Sequence, residues 1–164
     1  MRDRADRVLA ELPGCSLAWS DEFDGPAGSP PAPGTWQQQT GGHGWGNRQL
    51  QYYTGNAENA ALDGAGHLVI TVDRAQPQAR GRQDGCGYTS ARLTSKDRLS
   101  VRYGVVQARM QIPEGRGMWP AFWMMGQDVA VGGNASVTPG PTAAFPQRLL
   151  VDYVRVYATP GAAR

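Results

Sequence analysis

From Tyr103 to Ile112 the chain reads YGVVQARMQI, and apolar and polar side chains alternate along it with a period of two. Successive side chains of a strand point to opposite faces, so Val106, Ala108, Met110 and Ile112 are expected in a core, with Gln107, Arg109 and Gln111 outside. No helix of useful length carries that pattern. Other β-rich runs recur at short intervals between turn residues, drawn from a chain with 22 Gly and 12 Pro in 164 residues. SLAWSDEF (Ser16–Phe23), RQLQYYT (Arg48–Thr54), ENAAL (Glu58–Leu62), YTSARLTS (Tyr88–Ser95), WPAFWMM (Trp119–Met125) and RLLVDYVRVY (Arg148–Tyr157) read as strands. HLVITVD (His67–Asp73) is a continuous apolar run, as expected of a strand buried between two sheets. About nine strands joined by loops suit an all-β, two-sheet sandwich of the jelly-roll kind.

Helical periodicity is confined to the start, where Val8, Leu9 and Leu12 form one stripe and Asp3 and Arg7 stand at i,i+4. A short helix and a frayed tail are both open readings there. We divide the chain into an extension (1–15), the β-sandwich (16–158) and a tail (159–164).

The net charge is +2 and the Arg residues are scattered. Nucleic-acid binding needs a clustered basic footprint, so it is not expected. No stretch approaches the roughly 20 apolar residues of a membrane span. MRDRADRVLAELPG, at the start, also lacks the apolar h-region of a signal peptide. Cys15 and Cys86 match no metal or C-x-x-C spacing; one disulfide and two free thiols both remain open.

Three features carry possible chemistry. On a strand, Trp119, Ala121 and Trp123 project to one side, the two indoles about 13 Å apart at roughly 3.3 Å per residue. Indole faces stack on pyranose rings; Trp123, ringed by Phe122, Met124 and Met125, reads as a core residue, whereas Trp119, next to a Gly-rich turn and a Pro, reads equally as core or as sugar platform. Arg92, on a face with Ser90 and Thr94, is either a solvated cation or a cleft residue donating to sugar hydroxyls. The loop GGHGWGNRQLQYY (Gly41–Tyr53) reads as a binding rim or an ordinary turn, and His43 within it has no partner at ligand spacing. Asp152 shares a strand face with Leu150, Val154 and Val156, and so is expected to point toward apolar neighbours. A carboxylate so placed needs compensation, from Ca²⁺ or from an Arg or backbone N–H.

WSDEFDG (Trp19–Gly25), GWGNRQLQYYT (Gly44–Thr54), YTSARLTS, YGVVQARMQIPEGRGMWPAFWMMG (Tyr103–Gly126) and FPQRLLVDYVRVY (Phe145–Tyr157) together resemble glycoside hydrolase family 16. They are most similar to its laminarinase branch, the endo-β-1,3-glucanases, in family order from Trp19 to Tyr157. The resemblance implies a concanavalin A-like β-jelly roll whose concave sheet binds β-glucan, and an extracellular setting. It implies that Asn47, Arg92 and Trp119 line the cleft, with Trp123 near it. It also implies a structural Ca²⁺ at Glu22, Gly66 and Asp152, Asp152 giving its side chain and the others mainly backbone oxygens. No organic cofactor is implied.

The resemblance breaks after WPAFWMMG. Family members continue into E-x-D-x-x-E, a strand holding nucleophile, orienting Asp and acid/base on the cleft face. Retaining hydrolysis needs two carboxyl groups about 5–5.5 Å apart. Here Gln127-Asp128-Val129 runs directly into AVGGNASVTPG (Ala130–Gly140), which resembles a segment the family places much later. The Glu residues present, Glu11, Glu22, Glu58 and Glu114, form no such set, and Asp128 has no Glu partner. An internal deletion near 128–130 is therefore read, leaving an incomplete sandwich with no catalytic residues assigned. Little or no turnover follows, with a non-catalytic β-glucan-binding module or a functionless remnant as alternatives. Removing central strands exposes sheet edges, so self-association is also expected.

Overall fold

The structure is a computed structural model, and it describes residues 14–75, 86–101, 104–124 and 145–158. The expected N-terminal helix, the tail and the 128–130 junction lie outside these residues.

Among the described residues, regular structure is nine strands and one 3-10 turn. The strands are β1 (Ser16–Asp21), β2 (Gln37–Gln39), β3 (Gln51–Tyr53), β4 (Ala60–Leu62), β5 (Leu68–Arg74), β6 (Tyr88–Ser90), β7 (Arg92–Thr94), β8 (Val105–Gln111) and β9 (Gln147–Ala158). The all-β reading holds. β9 is the axis of the larger sheet. β8 runs antiparallel along one side of it. On the other side β1 pairs with its second half and β5 with its first. β4 and β6 add to β5, and β3 lies parallel to β6. β2 and β7 form a separate antiparallel ribbon.

The core is Phe23, Leu62, Leu68, Leu149, Val151 and Val154. Val106, Ala108 and Met110 pack on it from β8, as their alternation requires, and Leu93 reaches it from the ribbon. Trp36 also packs there and fixes the chain entering β2. Its indole N–H donates to Asp21 Oδ2 at 2.8 Å, and the ring meets Trp19 edge-on at 6.2 Å. Thus Trp19 and Asp21 of the WSDEF motif act as a structural clasp between the two layers. A second tie is Asn59, whose amide donates to the Thr71 carbonyl and Thr89 Oγ1 while Thr54 Oγ1 donates to Asn59 Oδ1.

Several expectations are corrected. Asp152 does not share the buried face of Val154 and Val156. Arg109 pairs with Tyr153 and Met110 with Val151, so Asp152 is an extra residue in β9, a bulge. The bulge shifts the alternation: Leu149 and Val151 face the core before it, Val154 and Val156 after it. Asp152 is left 38% exposed and paired to Arg109 at 3.2 Å. Ile112 lies beyond the end of β8 and is exposed. YTSARLTS is two strands, broken at buried Ala91, one in each sheet. β5 is buried only at Leu68, its other residues being half-buried or exposed. The described part of WPAFWMM is no strand: Trp119–Met124 has no pairing partner among the described residues, and a strand exists only as half of a pair. Cys15 and Cys86 are free thiols.

Candidate functional site

The ribbon and the loop before β3 build the most organised polar-aromatic surface. Gly41 bridges to Tyr53, closing the loop at its base. Trp45 then takes φ 49°, a left-handed conformation rare for a large side chain, which costs roughly 1 kcal/mol or more. Compensating contacts hold it there. Its indole N–H donates to the Gly41 carbonyl at 3.1 Å, its ring meets Tyr53 edge-on at 5.4 Å, and His43 lies against it at 4.7 Å.

Arg92, the first residue of β7, extends its guanidinium between two indoles. Its Cζ is 4.7 Å from the Trp45 ring centre and 5.0 Å from that of Trp123. Its Nε donates to Gln39 Oε1 at 2.6 Å across the ribbon, the register partner on β2. Beside it, Gln49 Oε1 accepts from both Gln51 Nε2 at 2.8 Å and the Tyr53 hydroxyl at 2.9 Å. Burial pushes the Tyr53 hydroxyl above its usual range, with Gln51 and Arg92 opposing the rise. The surface therefore offers planar π faces, amides and one fixed cation, a chemistry suited to sugar rings and hydroxyls.

Of the residues named from sequence, Arg92 and Trp123 are brought into contact, and Trp123 is half exposed rather than in the core. Trp119 is 52% exposed, so its indole is open to solvent. Asn47 closes the 3-10 turn that carries Trp45, its backbone N–H donating to the Gly44 carbonyl at 2.9 Å. Sequence reasoning missed Trp45 and Gln39. The Gly-flanked loop was a visible signal for Trp45, whereas three consecutive glutamines give no strand pattern at all.

Carboxylates are engaged elsewhere. Glu22 forms a bidentate pair with Arg155 at 2.7 and 2.8 Å, which raises the arginine's affinity for its proton further. Asp63 meets His67 Nδ1 at 2.7 Å, and Asp152 meets Arg109. Among the described residues, no three His, Cys, Asp or Glu side chains cluster at metal-binding distance. Asp24, Glu58, Asp97 and Glu114 are exposed.

The implied calcium corner combines one side chain with backbone oxygens. Val154 pairs with Asp21 and Val151 with Leu68, so Asp152 sits where β1 ends and β5 begins. At Gly66, φ 85°, an added Cβ would stand 3.3 Å from Asp24 Oδ1 and 3.9 Å from the Glu22 carbonyl oxygen. All these donors are oxygens, which fits a hard cation. Asp24 is a further carboxylate at this corner.

The described strands and the aromatic-amide face on them make this an all-β protein of the jelly-roll class. The family model described as "XgeA-like, catalytic GH16 domain" matches residues 47–140. The chain is 42% identical over 124 residues to a beta-glucanase of Rhodothermus marinus, covering 75% of this chain and 39% of that protein. It is 38% identical over 117 residues to a glucan endo-1,3-beta-glucosidase of Cryptopygus antarcticus, covering 71% and 41%. In fold it is similar to the laminarinase structure from Rhodothermus marinus, with a TM-score of 0.69, 26% identity, and coverage of 90% of this chain and 98% of that one. The chain belongs to glycoside hydrolase family 16 and is related to its endo-1,3-β-glucanases. It spans about two-fifths of the length of these two curated relatives (39% and 41%).

Proposed function

We propose that this chain binds β-glucan on the face formed by Trp45, Asn47, Arg92, Trp119 and Trp123, and does not hydrolyse it. The observation that carries the reading is the Trp45–Arg92–Trp123 stack in a chain without the E-x-D-x-x-E strand. Aromatic faces and amides suffice to hold a sugar. Cleaving one takes a carboxylate nucleophile and a second carboxyl that donates a proton, on opposite sides of the same bond.

Affinity electrophoresis through a laminarin gel tests binding, and release of reducing ends from laminarin tests cleavage. Retarded migration with no reducing ends above the buffer blank is expected. Unretarded migration refutes binding, and turnover near that of a full-length laminarinase refutes the loss of cleavage.

Calcium belongs to the same proposal as a structural ion, with the Glu22 and Gly66 carbonyls and the Asp152 carboxylate as ligands. Asp24 is close enough to Gly66 to join them. To ligate, Asp152 would turn from Arg109, its partner at 3.2 Å.

A further inference from the structure

We infer that a second copy of this chain pairs with β8, edge to edge, making a two-fold dimer with one continuous sheet. β8 is bonded along its whole length to β9, and among the described residues no strand lies on its other side. Such an edge presents a row of backbone donors and acceptors to any incoming strand. Natural edges are blunted by Lys, Pro, a bulge or brevity. β8 has seven residues, VVQARMQ, with no Lys and no Pro, and the bulge of this pair lies in β9. Its one charge, Arg109, is already held by Asp152.

The sequence of β8 is complementary to itself in one antiparallel register. With Ala108 on the two-fold axis, Gln107 faces Arg109 of the second copy, twice by symmetry. The Gln107 amide oxygen, which accepts from the Tyr157 hydroxyl at 3.4 Å within its own chain, has a second lone pair to accept from that guanidinium. On the apolar face Val106 faces Met110 and Ala108 faces its own copy. Exposed Ile112 falls opposite Gly104, which has no side chain to obstruct it. Centring the axis on Arg109 would set like charges directly across, which is unfavourable. A two-fold contact of this type closes at two chains and leaves no β8 edge for a third.

Sedimentation equilibrium of the full chain over a wide dilution series is the test. A species of twice the 17.6 kDa monomer, dissociating on dilution, is expected. The register is tested by charge at position 107. Gln107→Arg sets two Arg–Arg pairs across the axis and raises the dissociation constant about fivefold or more, while Gln107→Glu lowers it by a similar factor. Melting temperatures at high dilution separate a folding defect from a pairing defect, because Arg155 is the intrachain neighbour of Gln107. A monomer at every concentration, an open-ended aggregate, or a dimer unmoved by both substitutions would each overturn the inference.

Discussion

Replacing Arg92 by alanine removes a side chain that, among the described residues, joins ribbon, loop and the Trp119–Met124 segment. Two ring contacts, at 4.7 and 5.0 Å, are lost, each worth about 0.5–1 kcal/mol at a partly exposed site. The Nε bond to Gln39 goes too, a charge-assisted bond worth about 1.5–3 kcal/mol when shielded. Arg92 is half buried, so solvent screening discounts the sum, and a net loss of about 2–3 kcal/mol is expected. Arg92→Lys keeps the cation but not the flat guanidinium that meets two rings and one amide together; it should recover less than half of the loss. Urea unfolding followed by tryptophan fluorescence reads both, since Trp45 and Trp123 flank the lost group. A cycle with Trp45→Phe should give a coupling energy of about 0.5–1 kcal/mol. If Arg92→Ala costs under about 0.5 kcal/mol, or the coupling is zero, the stack holds nothing together and the argument fails.

Further outcomes follow from single contacts. Millimolar calcium should raise the melting temperature and a chelator should reverse it, a ligand at a hundred times its dissociation constant adding about 2.7 kcal/mol; Asp152→Asn should remove most of that response, and an unchanged response would exclude this corner. Asp63 loses solvent on folding, which alone would raise its pKa, yet the Ala65 N–H, the His67 ring and the His67 N–H together hold it below the usual range. A lowered pKa stabilises the fold above the unfolded carboxylate's value, near pH 4, and that stability is lost as pH falls through the folded value. Asp63→Asn should therefore flatten the acid limb of a stability–pH curve and cost about 1 kcal/mol at neutral pH. Gly104→Ala should cost more than about 3 kcal/mol by thermal unfolding, because the added Cβ would run into the Tyr157 carbonyl oxygen where β8 meets β9.

Strands whose pattern is their own were legible in sequence. β5, β8 and β9 are long enough for an apolar pattern to show, β5 as a continuous run, and all three form close to where their runs lie. What depends on a partner was not legible. The bulge at Asp152 arises because β9 carries one residue more than β8 across that span, and nothing in β9 read alone marks the place. β2 is QQQ, a strand only because β7 lies beside it. The opposite error occurred at Trp119–Met124, where aromatic residues favour a strand and no described neighbour pairs with it. At the site, Arg92 and Trp123 were named, yet their contact was not foreseen. It depends on a positive φ at Trp45, which the chain's local preferences oppose and the closed loop imposes.

The same distinction explains how the fold can outlast the missing carboxylates. β9 joins β1 and β5 on one side to β8 on the other, and Phe23, Leu62, Leu68, Leu149, Val151 and Val154 close the core around it. None of these residues belongs to the cleft motifs. The ribbon that carries Arg92 is tied to that core through Leu93 and through the Trp36–Asp21 bond. Losing the catalytic strand therefore removes chemistry first and lateral pairing second, while the larger sheet keeps its own reasons to form. Here the cation between Trp45 and Trp123 holds both indoles still, which is why its removal should be felt in stability and in glucan retention together.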